Sequence, residues 1–175
     1  IEAVVKTFQD TSLRLRSCLV PTVAAVRGMA LGGSCEFIMH ADRTVAAMES
    51  YIGLVEAGVG LLPGGGGCKE LALRAHLESR RGAAGSQIDM LPVLRTYFQQ
   101  VATAAVSRSA HDARELGYLR ATDVVVPNAW EVLHVAKAQA RAMAEAGYRP
   151  PLPARNIAVA GRTGIATLQM MLVNM

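Results

Sequence analysis

Aromatic residues make up only 5% of this 175-residue chain, and charged residues only 18%. Basic residues outnumber acidic ones, 18 to 14, giving a net charge of +4. Fifteen of the basic residues are arginine; they are scattered, and only Arg80 and Arg81 are adjacent. A nucleic-acid surface gathers its basic residues and interleaves them with aromatics, so this composition argues against one. The mild positive potential still suits a small phosphate-bearing substrate. Cysteine is equally sparse. Cys18, Cys35 and Cys68 are odd in number and lack C-x-x-C spacing, which excludes a disulfide framework or a zinc cluster and points to a reducing cytoplasm. His40, His76, His111 and His134 lie far apart without metal-ligand spacing; no metal is expected, and each reads as a surface or packing residue. No apolar run reaches the roughly 18 residues of a spanning helix. No signal-peptide pattern precedes the first helix, so no membrane span is expected.

What the chain does have is apolar bulk. Hydrophobic residues are 51% of the total, enough for the core of one domain of this length. Short apolar runs alternate with helical periodicity, which predicts an α/β fold. Residues 1–16 read as a helix, 21–26 as a buried parallel strand, and 34–41 as a helix entered through Gly32 and Gly33. Strands are predicted at 44–47 and 50–53, and a glycine loop over 58–67 opens a helix at 68–77. Residues 79–89 read as a polar loop, with Asp89 capping a helix over 90–105. Further helices are expected at 110–116 and 130–146, stopped by Gly117 and Gly147. Strands are expected at 123–126 and 157–159, and a last helix begins near residue 163. The chain opens without Met inside one helical pattern and stops inside another, as part of a longer polypeptide would.

Two glutamates stand out. Glu36 closes Gly28-Met29-Ala30-Leu31-Gly32-Gly33-Ser34-Cys35-Glu36, and Glu56 sits in Gly53-Leu54-Val55-Glu56-Ala57-Gly58-Val59-Gly60, just before Pro63 and the run Gly64 to Gly67. Paired carboxylates served by exposed backbone amides suit proton transfer around an enolate. No Gly-Lys-Ser/Thr follows the glycine run, and Pro63 stands where a dinucleotide fingerprint needs its third glycine, so no NAD site is readable within the chain. Cys35 reads as a buried small residue rather than a nucleophile.

These motifs carry a family resemblance. Pro21-Thr22-Val23-Ala24-Ala25-Val26-Arg27-Gly28, Ala30 to Glu36, Ala41-Asp42, Gly53 to Glu56, Gly60 and Pro63 to Gly66 resemble, in order and spacing, the crotonase (enoyl-CoA hydratase/isomerase) superfamily. Gly58 to Leu71 and Ser107 to Gly117 resemble the hydratase part of bacterial fusion proteins that also carry an NAD-dependent 3-hydroxyacyl-CoA dehydrogenase. The resemblance implies a crotonase-like ββα superhelix, of which residues 1–175 would be the later portion, with its motif core at 21–78 and a helical C-terminal region at 89–175. It implies that Glu36 is the base toward water and Glu56 the acid toward carbon. Gly33 would supply an oxyanion-hole N–H and Gly64 would help hold the water, while Gly32, Gly53 and Pro63 would contact substrate. It also implies an acyl-CoA thioester as substrate, no cofactor bound by this chain, NAD only in another domain of a parent protein, and a trimer-based homo-oligomer. Ser34 departs from the third glycine usual in the family. An isomerase of the same superfamily is the alternative, although it needs only one carboxylate; so is a catalytically silent, self-associating fragment.

Overall fold

The computed structural model describes residues 2–80 and 89–174. The chain begins with helix α1 (Glu2–Arg16), followed by strands β1 (Val23–Val26) and β2 (Met29–Leu31) and helix α2 (Gly33–His40). The same order then recurs: β3 (Arg43–Ala47), β4 (Tyr51–Gly53), a 3-10 turn (Glu56–Val59) and α3 (Gly67–Ser79). Helices α4 (Leu91–Ala102) and α5 (Ala110–Glu115), strand β5 (Val124–Val126), α6 (Val132–Glu145) and α7 (Gly161–Val173) complete it.

Each repeat gives its first strand to one sheet and its second to another. β3 lies parallel between β1 and β5, and β2 pairs in parallel with β4. Leu31 stands opposite Gly53. The turn beyond each strand is stitched to its neighbour: Gly32 N donates to Gly53 O (2.9 Å) and Tyr51 N to Gly28 O (2.9 Å). The helices that follow β2 and β4 therefore start side by side at the carboxyl ends of adjacent parallel strands, the place where open α/β sheets put their chemistry. No sequence repeat announces this ββα repetition; it lives in hydrogen-bond register alone.

The main core packs Ala30, Cys35, Ile38, Met39, Ile52, Leu54, Leu71 and Tyr118 between the β2–β4 ribbon and the helices. A second cluster seats α6 on the other sheet through Val45, Ala47, Val126, Val132 and Ala136. Asp123, buried ahead of β5, accepts from Thr44 N (2.8 Å) and Arg120 N (2.6 Å), which ties that strand to β3.

Several sequence expectations change. Met29–Leu31, assigned to no element from the sequence, is a strand, because β4 offers it a parallel partner. Residues 157–159 form no strand: Ile157 and Val159 are exposed, and the Ala158 amide donates to His76 Nδ1 (3.1 Å) instead of a ladder. A short β-prone run with no strand beside it has nothing to pair with. The helix expected over 90–105 ends at Ala102, where Ala104 turns to φ 51° and Val106 bridges to Gly53. The N-cap is Met90 rather than Asp89; Asp89 stands one residue ahead, its Oδ1 accepting from Leu91 N (2.9 Å). Most of the loop expected over 79–89 lies outside the described residues. Gly117 and Gly147 end their helices with φ of 78° and 77°.

Leu54 links this core to the glycine loop, since both its Cδ atoms lie 2.9 Å from where a Cβ on Gly67 would stand. Replacing a fully buried leucine by alanine removes apolar contacts and leaves a cavity. Leu54→Ala should cost about 2–5 kcal/mol of folding free energy, read as a lower urea midpoint with an unchanged denaturant slope.

Candidate active site

Glu36 lies in the first turn of α2, and its side chain is almost wholly buried. A buried carboxylate must find donors. Here the donor is backbone: Gly67 N–H gives a 2.8 Å hydrogen bond to Glu36 Oε1. That amide opens α3, so the helix's positive end also faces the charge. The approach is close enough to exclude side chains. A Cβ on Gly67 would sit 3.2 Å from Oε1, and one on Gly65 only 2.5 Å from Oε2. Gly66 adopts φ 117°, a conformation that side chains rarely take.

Glu56 begins the 3-10 turn beyond β4, beside the start of α2. Its Oε1 stands 3.4 Å from where a Cβ on Gly32 would be, and Gly32 itself turns at φ 56°. Glu56 Oε2 is out of solvent and finds no hydrogen-bond partner among the described residues. Burial raises the Glu56 carboxyl above its ordinary value; its own backbone amide pulls the other way, and the charge of Glu36 adds to the rise. One carboxylate is thus held by a backbone donor while its neighbour is pushed toward its protonated form. A carboxyl pushed toward its acid form beside a carboxylate held by a backbone donor is an arrangement suited to proton transfer.

The other expected positions divide. Gly32 and Gly33 lie at the start of α2, beside both glutamates, and amides in a first helical turn have no acceptor within the helix. Gly64 sits in the same turn region, where its carbonyl accepts from Gln9 Nε2 (2.7 Å). Gly53 instead faces away: a Cβ there would meet Ala105 O at 2.6 Å. Its role in the structure is to anchor Gly32 through its carbonyl. Pro63 is buried ahead of the glycine turn.

Three participants escaped the sequence. Gly67 donates to Glu36; the run of four glycines signalled close approach without saying which amide it served. Phe8 of α1 packs edge-on against Phe37, with ring centroids 4.6 Å apart. It comes within 3.1 Å of where a Cβ on Gly33 would be, and the same ring fills the space beside Gly65. His40, read as a surface or packing residue, is fully buried with Nδ1 2.7 Å from the Glu36 carbonyl. Its place four residues after Glu36 was the available clue.

Behind Glu36 lies an ionic cluster. Glu70, buried on α3, meets Arg16 of α1 at 2.6 Å and Lys69 at 2.8 Å. Burial alone would raise the Glu70 carboxyl; the charges of Arg16 and Lys69 outweigh it and hold the group below its ordinary value. Cys35 is inert, as expected: burial pushes its thiol up, and the negative charges of Glu56 and Glu36 add to that despite Arg74.

The raised carboxyl makes stability depend on pH. Unfolded, Glu56 ionises near 4.5; folded, it holds its proton to higher pH. Below 4.5 both states are protonated and nothing is lost. As pH rises through 4.5 toward the folded value, the unfolded chain releases its proton first and folding weakens. Glu56→Gln should therefore raise the thermal midpoint at neutral pH, and the gain should vanish below pH 4.5, in paired melts of the two proteins.

The sequence and the fold have known counterparts. The profile of the enoyl-CoA hydratase/isomerase family matches residues 2–76. A Bacillus subtilis protein described as "Probable 3-hydroxyacyl-CoA dehydrogenase" is 42% identical over 168 residues, which is 96% of this chain and 20% of that protein. The crystal structure of an enoyl-CoA hydratase from Bacillus anthracis superposes with a TM-score of 0.62 at 22% identity, covering 99% of this chain and 60% of that one. An "Enoyl-CoA Hydrates Subunit I" from Geobacillus kaustophilus gives 0.57 at 28% identity, over 82% of this chain and 47% of that one. The chain thus spans a fifth of the Bacillus subtilis relative and between about half and three fifths of these two structures.

Proposed function

From the premise that the chain belongs to the crotonase superfamily, we propose that it forms the enoyl-CoA hydratase segment of a fatty acid β-oxidation protein. The observation that carries this reading is the carboxylate pair at the ends of β2 and β4, with Glu36 held by Gly67 N–H and Glu56 pushed toward its acid form. In the proposed reaction a trans-2-enoyl-CoA lies with its thioester oxygen at Gly33 N–H. Glu36 takes a proton from water while the water oxygen bonds to C3. The π electrons move onto the thioester oxygen, where the amide stabilises the enolate. Glu56, as the carboxylic acid, gives its proton to C2. Passage of the proton from Glu36 to Glu56 restores both groups, and one water has been added in all.

Two protonation roles need two carboxylates, which favours hydration over double-bond isomerisation. The Phe8 ring beside Gly33 must swing aside for the thioester to dock there. The name of the Bacillus subtilis relative supports a parent protein that also oxidises the 3-hydroxyacyl product with NAD in another domain.

The test is hydration of crotonyl-CoA, followed by loss of its conjugated absorbance. This chain and the full-length polypeptide that carries it are assayed side by side. Glu36→Gln and Glu56→Gln should each slow the full-length protein by at least about a hundredfold; a near-normal rate in either variant removes that glutamate from the mechanism. Gly33→Val adds a branched side chain against Phe8 and the thioester site. It should abolish turnover while the circular dichroism spectrum stays unchanged. An active Gly33→Val protein would move the oxyanion donor elsewhere.

A further inference from the structure

His40 touches both the backbone that carries Glu36 and the glycine turn that leads to its donor. Nδ1 lies 2.7 Å from the Glu36 carbonyl. A carbonyl only accepts, so Nδ1 carries the hydrogen and donates. Nε2 is then left as an acceptor, and Lys69 Nζ meets it at 2.9 Å. The ring packs against Gly66, where a Cβ would stand 2.8 Å from Cε1 and 3.0 Å from Nε2. Gly66 directly precedes the amide that holds the Glu36 carboxylate. The ring is therefore wedged between the backbone that carries the carboxylate and the turn that receives it. Burial lowers the His40 pKa, and nearby Lys69 and Arg16 add to that against the Glu36 carbonyl and Glu70. The neutral tautomer this requires is the one the contacts select.

We propose that His40 is a positioning residue: it sets the glycine turn so that Gly67 N–H and the Glu36 carboxylate meet, with Lys69 fixing the ring from the other side. The importance of that meeting for catalysis rests on the hydratase reading; the geometry itself does not. Asparagine and glutamine at this position separate the two ends of the ring. Asn reproduces the Nδ1 donor to the Glu36 carbonyl but cannot reach Gly66 or Lys69, whereas Gln reaches the Nε2 position. A residue that merely closed its helix would be replaced adequately by Asn.

The experiment follows the Gly67 amide by NMR in this chain as pH is varied. In the unmodified protein the amide proton should shift with ionisation of Glu36, and the shift should disappear in Glu36→Gln. His40→Asn should strongly reduce it, and His40→Gln should retain part of it. In the full-length protein, His40→Asn should lower kcat roughly tenfold to a hundredfold with KM little changed, as a small misplacement of a reacting group does. Should His40→Asn fail to fold, Lys69→Met removes the Nε2 partner from the surface side, and it should weaken the Gly67 response in the same direction. A Gly67 titration in His40→Asn, or in Lys69→Met where His40→Asn does not fold, that matches the unmodified protein would overturn the proposal. A lost titration with unimpaired crotonyl-CoA hydration supports the positioning role and refutes the hydratase role of Glu36.

Discussion

A carboxylate buried against bare backbone constrains everything around it. Glu36 has surrendered its water and receives a peptide N–H in exchange. A charged group makes that trade only if the donor is fixed in advance, because a moving amide would leave the charge unsatisfied at a cost of several kcal/mol. The three glycines at 65–67 follow from this need, since any Cβ there would meet the carboxylate, Phe8, His40 or Leu54. So does the order of the strands, which sets the start of α2 beside the turn that follows β4.

Around that contact the forces act at different ranges. Apolar packing of Ile52, Leu54 and Leu71 fixes the ribbon. Register hydrogen bonds at Gly28 and Gly32 align one repeat on the next. The Arg16–Glu70–Lys69 cluster clamps α1 and α3 together on the side away from Glu56. The cations of that cluster serve Glu70, and Glu56 has no positive partner among the causes of its shift. The carboxyls of Glu70 and Glu56 are thus shifted in opposite directions by their surroundings.

Much of this was legible in the sequence. Both glutamates, the paired glycines before α2 and the glycine run before α3 could be read because each imposes a strict local demand on residue type. Gly117 and Gly147 ended their helices where expected, since a positive φ leaves few alternatives. What could not be read depends on partners distant in sequence. Strand Met29–Leu31 exists because β4 lies beside it, and residues 157–159 fail as a strand because nothing does. Gly53 looked like a substrate contact because it sits in the motif, yet its open face is taken by Ala105 and Val106. Phe8 stands 25 positions before Gly33, and nothing in its own helical periodicity distinguishes it from any other packing residue.

The central claim is that Glu36 and Glu56 share one site and that the charge of Glu36 raises the proton affinity of Glu56. Carboxyl-detected NMR titration of Glu56, in the unmodified protein and in Glu36→Gln, addresses it directly. The account predicts a Glu56 midpoint above 4.5 that falls when Glu36 loses its charge. A Glu56 that titrates at its ordinary value, with no response to Glu36→Gln, would contradict it.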